Sequence, residues 1–348
     1  MVYRVQARSV ASPLASFQPA TIERRALGED DVLVSIQYAG ICHSDIHHAR
    51  SEFGHSIYPM VPGHEIAGTV MAVGSRVTRF EVGDRAAVGC FVGSCGQCES
   101  CLADQVQHCQ ENIKTYNSID RDGLLTMGGF SEAIVVDQAF VFHLPDVLDL
   151  AGAASLLCAG STMYSPLRRW NTGPHTRVAI IGLGGLGHLG VKISRALGAM
   201  TTVFDLSSDK RSDALRMGAD DFRVPDAGVF KELTQSFDLI VSTVPSRLDM
   251  DGYLGMLSVN GVFVIVGILD KPMQFSNLSL MTNSRAIAGA RVGGVGETQQ
   301  MLDFCAKHGI SAEVEVISAN EIDDAFNRVV AGDVRYRFVI DISTMAEG

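Results

Sequence analysis

The second half of the chain alternates short apolar runs with longer stretches in which apolar residues recur every three or four positions. Short apolar runs bounded by glycine or polar residues favour buried strands, and the longer stretches favour amphipathic helices. Strands separated by helices are typical of a parallel sheet covered on both faces, which is a doubly wound α/β fold. Six strands are predicted, over residues 177–181, 201–205, 222–224, 238–242, 262–267 and 286–291.

The first half has a different pattern, rich in glycine and valine. Stretches such as IAGTVMAVGS (residues 66–75) and DRAAVG (84–89) favour short strands with frequent breaks, so we expect an irregular β domain there. After residue 294 the pattern predicts a helix over 298–308, a strand over 312–317, a second helix over 321–330 and a last strand over 336–342.

A glycine-rich turn lies between the first of the six strands and the helix predicted over 188–197. Its sequence, residues 182–187, is GLGGLG. A GxGxxG motif is specific in this position, because its glycines allow a tight turn and bring a pyrophosphate close to the helix N-terminus. The turn therefore predicts that the α/β domain binds a dinucleotide.

Composition and charge narrow the class of protein. The 348 residues are enough for two domains, and the net charge of −11 disfavours binding to nucleic acid. The first ten residues, MVYRVQARSV, do not resemble a secretory signal, and no apolar run approaches the ~20 residues that cross a bilayer. We therefore expect a cytoplasmic protein with no membrane partner, in a compartment where structural disulfides are rare.

Four of the eight cysteines fall within one short stretch, at Cys95, Cys98, Cys101 and Cys109. Disulfides, redox chemistry and a bound metal are the three alternatives. A reducing compartment disfavours disulfides, and a redox CxxC pair needs no third and fourth thiol. Four thiolates suit a tetrahedral zinc with no open position, which can only be structural. An iron–sulfur cluster also takes four thiolates, so the ligands alone do not decide the metal.

A second group of candidate ligands is spread over three segments: GICHSDIH at residues 40–47, VPGHE at 61–65 and LLCAG at 156–160. Taken singly, a histidine or a cysteine is more often an ordinary polar or core residue than a ligand. Together, Cys42, His64 and Cys158 supply two thiolates and an imidazole. Such a set holds catalytic zinc and leaves one position open for substrate.

These segments, in order with the four-cysteine stretch and GLGGLG, resemble the zinc-dependent medium-chain alcohol dehydrogenases from about residue 32 to residue 342. The most similar branch is the cinnamyl-alcohol-dehydrogenase-like group, which includes bacterial aldehyde reductases. The resemblance implies a GroES-like catalytic domain over residues 1–153, a Rossmann domain over 154–293 and a return to the catalytic domain over 294–348. Substrate and cofactor are then expected to meet in the cleft between the domains.

The resemblance also implies metal-binding roles, position by position. Cys42, His64 and Cys158 would bind the catalytic zinc, and Glu65 would take the fourth position when substrate is absent. Asp45 would orient the ligand histidine, as imidazoles bound to metals generally require. With the four-cysteine site, the resemblance implies two zinc ions per chain.

A proton relay is implied as well. Zinc polarises a carbonyl as a Lewis acid, and hydride moves between the carbinol carbon and the nicotinamide. Ser44 would receive the substrate proton, and His47 would pass it toward solvent through the cofactor ribose. A histidine, with a solution pKa near ~6.5, suits that task at neutral pH.

Asp205 bears on which nicotinamide cofactor is used. It ends the second strand, eighteen residues after the last glycine of the turn, where an acidic side chain meets the adenosine ribose. Relatives in this branch mostly have a small hydroxyl residue here and use NADP(H), so this sequence departs from its branch. A carboxylate binds both ribose hydroxyls and repels a 2′-phosphate, so we expect NAD(H) to be preferred, with NADP(H) as the alternative.

A contrary signal lies just downstream, in a set that resembles the phosphate-binding residues of NADP enzymes: Ser207, Ser208, Lys210 and Arg211. We expect Asp205 to outweigh it, because a solvated lysine can swing away from the site. The full set of predicted cofactor contacts is His43, Gly182, Gly184, Gly185, Leu186, Gly187, Asp205, Leu206, Ser207, Lys210, Thr243 and Val266.

The expected function is the reversible oxidation of a primary aromatic or medium-chain alcohol to its aldehyde. A reductase of a conjugated double bond or an iminium on the same scaffold is the alternative, and a binding module without activity is another. The intact ligand set and the relay disfavour both. In the family that it resembles, the edge strand at residues 285–294 pairs with its copy, so the resemblance implies a homodimer at least. Plausible walls of the substrate pocket are Phe53, Tyr58, Tyr116, Met127 and Val292.

Overall fold

The computed structural model describes residues 2–268 and 271–346. The chain divides into two compact units, Met1–Ser161 with Gly293–Gly348, and Thr162–Val292. The predicted domain limits of 1–153, 154–293 and 294–348 are a separate division of the chain and stay a prediction. In the part of the chain that the structure describes, no helix is long and apolar enough to cross a membrane.

The strands are β1 (Tyr3–Ser9), β2 (Gln18–Arg24), β3 (Asp31–Gly40), β4 (Ile66–Val73), β5 (Arg85–Val88), β6 (Phe91–Gly93), β7 (Ile113–Lys114), β8 (Ala133–Asp137), β9 (Val141–His143), β10 (Arg177–Ile181), β11 (Met200–Phe204), β12 (Asp221–Arg223), β13 (Phe237–Ser242), β14 (Leu257–Ile265), β15 (Ala286–Gly289), β16 (Val314–Ile317) and β17 (Arg337–Asp341). The α-helices are α1 (His43–Ala49), α2 (Glu99–Leu102), α3 (Leu150–Ala154), α4 (Ala159–Arg169), α5 (Gly187–Ala196), α6 (Arg211–Arg216), α7 (Ala227–Glu232), α8 (Met250–Gly255), α9 (Leu278–Met281), α10 (Val295–His308) and α11 (Ile322–Ala331). Short 3₁₀ turns cover Val106–His108, Gln138–Phe140, Ser155–Leu157, Ser208–Lys210, Ala319–Glu321 and Ile342–Ala346.

The first unit is built on a largely antiparallel sheet ordered β16-β17-β3-β4-β5-β9, with β8 also paired to β3. Strand β3 is its centre, because it pairs with β4, β8 and β17. The β3–β4 register shifts twice, between Leu33 and Val34 and between Ile36 and Tyr38. Such shifts bend and twist a sheet locally. The prediction of an irregular β domain in the first half of the chain is confirmed.

The second unit is a six-stranded parallel sheet ordered β12-β11-β10-β13-β14-β15. Strands β10 and β13 are neighbours in the sheet although they are distant in sequence, so the winding direction reverses between them. Open α/β sheets bind ligands beyond the carboxyl ends of the strands at this reversal. The predicted doubly wound fold is confirmed. Strand β14 begins earlier than predicted, because Leu257 pairs with Phe237 before a register shift.

Candidate active site and metal centres

Three segments of the first unit bring four potential metal ligands together. The donor atoms of Cys42, His64, Glu65 and Cys158 all lie within 4.8 Å of one another. Cys42 immediately precedes α1, the His64–Glu65 pair immediately precedes β4, and Cys158 follows a 3₁₀ turn. The sulfurs of Cys42 and Cys158 are 3.9 Å apart. Two sulfurs bound at ~2.3 Å to one tetrahedral zinc are about 3.8 Å apart, so the spacing fits that ion.

Asp45 holds two of these ligands in place from inside the protein. It is fully buried, and its Oδ2 accepts a hydrogen bond of 2.8 Å from the amide of Cys42. Its Oδ1 lies 3.0 Å from Nδ1 of His64 and accepts a longer bond of 3.2 Å from the amide of Gly63. With Nδ1 engaged in this way, Nε2 of His64 is the nitrogen left for a metal. Burial acts to lower the pKa of His64, but the charge of Asp45 raises it well above its usual value.

Glu65 pairs with an arginine that the sequence analysis did not assign. The guanidinium of Arg337, the first residue of β17, donates to Oε1 of Glu65, and both side chains are buried. Burial raises the pKa of Glu65 to about 7, and the charge of Arg337 acts in the opposite direction. Oε2 of Glu65 has no hydrogen-bond partner among the described residues. The signal available in the sequence was an arginine directly before the apolar residues of β17.

The two residues predicted to carry the proton share one side of α1. Ser44 and His47 are three residues apart in this helix, and residues at that spacing are neighbours on a helix surface. Nδ1 of His47 contacts the carboxylate of Glu52, and the His47 ring centre lies 5.0 Å from that of Phe53. Glu52 is a second residue that the sequence analysis missed, although it lies only five positions after His47.

Tyr116 was expected in the wall of the substrate pocket, but it is only 4% exposed and packs beside a ligand. Its ring centre lies 5.9 Å from that of His64, with 30° between the planes. His48 is buried beside it, and its Nδ1 lies 3.0 Å from the side-chain nitrogen Nδ2 of Asn117. Burial lowers the pKa of His48 to about 4. This packing supports α1 from behind the metal ligands.

The four-cysteine stretch forms a second compact donor set, separate from the first. Its four sulfurs lie within 4.8 Å of one another. The separations are 3.8 Å for Cys95–Cys101, 3.5 Å for Cys98–Cys101 and 3.6 Å for Cys95–Cys109. These distances again match two sulfurs on one tetrahedral zinc, and four thiolates leave no position for substrate.

The GLGGLG turn in the second unit has the geometry that a bound dinucleotide requires. Gly182 has a φ of +90°, which favours glycine. A β-carbon on Gly187, the first residue of α5, would lie 1.8 Å from the Gly182 carbonyl oxygen. A β-carbon on Gly184 would meet nothing within 4 Å, so this side of the turn is open. The three glycines therefore supply a tight turn, close helix packing and room for a pyrophosphate.

Asp205 lies at the carboxyl end of β11 and is bound to the turn. Its Oδ2 accepts a hydrogen bond of 2.7 Å from the amide of Leu183, and its Oδ1 accepts one of 3.0 Å from the amide of Ser207. Nζ of Lys210 lies 3.1 Å from Oδ2, and the Lys210 side chain is only 19% exposed. The expectation of a solvated lysine is therefore wrong, since Lys210 already neutralises Asp205. Arg211 points elsewhere, and its Nη1 donates to the carbonyl of Phe222.

The other predicted cofactor contacts divide into backbone supports and exposed residues. Oγ1 of Thr243 donates 2.8 Å to the carbonyl of Ile181 and so holds the start of the glycine turn. The amide of Val266, directly after β14, donates a hydrogen bond to the carbonyl of Ser242 at the carboxyl end of β13. Leu206 is 82% exposed. His43, at the start of α1, belongs to the first unit.

A unit with two metal-donor sets and a parallel-sheet unit with a dinucleotide turn define a metal-dependent dehydrogenase of the medium-chain class. Two family models match the chain, "Alcohol dehydrogenase GroES-like domain" over residues 28–146 and "Zinc-binding dehydrogenase" over residues 185–307. The chain belongs to the zinc-dependent medium-chain alcohol dehydrogenase family, in its cinnamyl-alcohol-dehydrogenase-like branch. This confirms the predicted family and its class of activity.

Individual relatives cover almost the whole chain. The "Probable formaldehyde dehydrogenase AdhA" of Bacillus subtilis is 51% identical over 345 residues, which are 99% of each chain. The "NADP-dependent alcohol dehydrogenase C" of Mycobacterium bovis is 52% identical over 341 residues, 97% of this chain and 98% of that one. A solved cinnamyl alcohol dehydrogenase of Sorghum bicolor is 39% identical, with a TM-score of 0.96 over 99% of this chain and 100% of that chain.

Proposed function

We propose that this chain interconverts a primary alcohol and its aldehyde, with zinc on Cys42, His64 and Cys158 and a nicotinamide cofactor in the α/β unit. One observation carries this proposal. The donors of three separate segments lie within 4.8 Å of one another, and the buried Asp45 holds two of those segments. A bound zinc supplies Lewis acidity toward the substrate oxygen. The four-cysteine set is proposed to hold a second, structural zinc.

Glu65 is proposed as the side chain that takes the fourth position on the catalytic zinc when substrate is absent. Its Oε1 is held by Arg337, while Oε2 has no partner among the described residues, so one oxygen is anchored and the other is available. Arg337 supplies the compensating positive charge that a carboxylate needs in a buried position.

The proton leaves through α1 in this proposal. The Ser44 hydroxyl accepts the proton of the alcohol, and His47 takes it onward. Because Glu52 engages Nδ1 of His47, Nε2 is the nitrogen left for the transfer. In the reductive direction the same groups deliver a proton to the developing alcohol.

NAD(H) is proposed as the preferred cofactor, although several relatives are named NADP-dependent. Asp205 lies at the end of β11 and is oriented by two backbone amides, which suits a carboxylate that accepts the ribose hydroxyls. Lys210 neutralises part of its charge, so we expect NADP(H) to be used as well, less efficiently. A homodimer paired through β15, an edge strand of its sheet, is proposed as the assembly.

The test of the proposed activity combines metal content with turnover. Elemental analysis is expected to give two zinc ions per chain, and an aromatic aldehyde is expected to oxidise the reduced cofactor. Ser44→Ala should lower kcat by about a hundredfold or more, with little change in cofactor affinity, because the hydroxyl handles a proton only during the reaction. Full activity in Ser44→Ala would refute the relay, and one zinc or iron per chain would refute the metal assignment.

A further inference from the structure

The N-terminus of α10 is capped by a residue from a distant part of the chain. Its own N-cap residue, Gly294, has no side chain. The carboxylate of Asp104 accepts a 3.0 Å hydrogen bond from the amide of Gly296 and a 3.2 Å bond from the amide of Glu297. These are the second and third amides of the helix, the donors that an N-cap side chain usually satisfies.

The glycines at the start of α10 are needed for this contact. A β-carbon on Gly294 would lie 1.7 Å from the carbonyl oxygen of Asp104, and one on Gly296 would lie 2.8 Å from its Oδ2. Asp104 itself has a φ of +55°, a conformation that aspartate tolerates better than most residues. The chain of Asp104 therefore lies directly on the helix start, and the glycine-rich sequence there has a local reason.

Asp104 belongs to the four-cysteine lobe, since it lies between Cys101 and Cys109. The amide of Asp104 donates 3.2 Å to the carbonyl of Cys101, at the end of α2. A metal held by these cysteines would therefore set the position of the Asp104 carboxylate. The lobe reaches α10 through this side chain.

The first turns of α10 also hold the segment that carries a ligand of the other metal set. Oγ1 of Thr298 lies 3.0 Å from Oγ of Ser161, and the amide of Gly293 donates 3.0 Å to the same oxygen. Sδ of the buried Met301 would lie 3.1 Å from a β-carbon on Gly160. Gly160 and Ser161 follow Cys158 by two and three residues, so α10 supports the backbone from which Cys158 projects.

We propose that Asp104 is a positioning residue that couples the two metal sets: the four-cysteine lobe orients α10 through Asp104, and α10 holds Cys158 in its ligand position. The proposal rests on the proposed function, because it requires both donor sets to bind metal. It gives the four-cysteine site a role beyond local folding. All of its members lie in the first unit, Met1–Ser161 with Gly293–Gly348.

The decisive variant is Asp104→Gly, which removes the carboxylate and accepts the positive φ without strain. We expect the amides of residues 296–298 to exchange hydrogen about fivefold faster, as the loss of an N-cap of ~1 kcal/mol implies. Both metals should be present in freshly purified protein. Release of the metal on Cys42, His64 and Cys158 to a chelator should be several times faster than in the wild type, while release from the four-cysteine set is unchanged.

Two further variants separate this coupling from a general loss of stability. Asp104→Asn keeps one side-chain oxygen that can accept a hydrogen bond from a backbone amide. It should therefore restore much of the slow hydrogen exchange and slow metal release. Asp226→Ala removes the cap of α7 in the other unit, where Asp226 accepts 2.8 Å from Val229, and should change neither measurement.

Unchanged metal release in Asp104→Gly, together with faster exchange in α10, would show that the cap is only local and overturn the coupling. Unchanged exchange would overturn the cap itself. If the wild type held no metal on Cys42, His64 and Cys158, the proposed function would fail, while hydrogen exchange would still test the link between Asp104 and α10.

Discussion

The side chains proposed for chemistry are held by neighbours that take no part in it. Asp45 orients His64 and the backbone of Cys42, and Arg337 binds Glu65. Each of these neighbours is a charged group buried against another polar group, and breaking such a contact costs much free energy because the remaining group stays buried without a partner. At the scale of single residues, substitution of Asp45 or Arg337 is therefore expected to disturb the site as much as substitution of a ligand.

Arg337→Leu tests the buried pair. The substitution leaves the Glu65 carboxylate buried without its cation, so we expect the free energy of unfolding to fall by about 3–5 kcal/mol. In the double variant with Glu65→Gln no charge remains uncompensated, and most of that loss should be recovered. Urea unfolding of the wild type, both single variants and the double variant measures the coupling. If the loss in the double variant were the sum of the losses in the two single variants, the two side chains would not stabilise each other.

His48 makes stability depend on pH. Burial lowers its pKa to about 4, below the ~6.5 of an unfolded histidine. Between these values the unfolded chain binds a proton that the folded chain does not, so the His48 contribution to stability is present above pH ~6.5 and is lost as the pH falls toward 4. His48→Gln should flatten this part of the stability curve. His308→Gln, at an exposed histidine, is the matched control.

Asp205→Ser tests the cofactor preference. The substitution removes the carboxylate that repels a 2′-phosphate and frees Lys210 to bind it, so preference should shift toward NADP(H) by tenfold or more, about 1.4 kcal/mol. Steady-state kcat/KM with each cofactor, for the wild type and the variant, decides the question. A wild type that favours NADPH would show that Lys210 and Ser207 outweigh Asp205.

Among the structural elements, the four-cysteine lobe has little regular structure of its own. It contains one short helix, α2, and the 3₁₀ turn at Val106–His108, joined by a residue with positive φ. Too few apolar groups are buried there to order the loop, so a bound metal is expected to supply most of its stability. The lobe is therefore the element for which metal removal and unfolding are most closely linked.

Cys101→Ser and Cys158→Ser should differ in what they damage. Loss of Cys101 breaks a closed structural set, so thermal stability and soluble yield should fall strongly. Loss of Cys158 breaks the open set, so turnover should fall at least a hundredfold with a smaller change in melting temperature. Metal content and thermal unfolding, measured side by side, compare them. The prediction fails if the Cys101 variant melts like the wild type.

At the scale of the whole molecule, β15 leaves one side of the parallel sheet open. It pairs with β14 on one side and is the last strand of the sheet in the described structure. A free strand edge with small residues invites pairing with a second copy. Such pairing would join two sheets across a two-fold axis, as in most closed dimers.

Light scattering at micromolar concentration should therefore give twice the monomer mass. Ala286→Lys places a charge on the exposed start of β15, where pairing with a second strand would have to accommodate it, and should shift the protein toward monomer. Val224→Lys, just beyond β12 at the opposite edge, is the matched control and should stay dimeric. A monomeric wild type would refute the assembly.

Local sequence was enough to predict elements whose signals are local. The apolar runs of the α/β unit, the GLGGLG turn and the two CxxC steps of the four-cysteine stretch each depend on residues a few positions apart. The six parallel strands, the positive φ of Gly182 and the compact sulfur set follow directly from those patterns. Cys42, His64 and Cys158 were found because each stands in a short segment that resembles a family.

Tertiary structure alone decided which distant side chains meet. Arg337 is separated from Glu65 by most of the chain, and Asp104 from Gly296 by nearly two hundred residues, so no periodicity or spacing relates them. Lys210 was expected in solvent, and it is instead held against Asp205 at the end of β11, although only five residues separate the two. A buried charge or the free amides at a helix start require a hydrogen-bond or ion-pair partner. Which residue fills that role depends on the packing of the whole unit, because only packing brings residues distant in sequence close together.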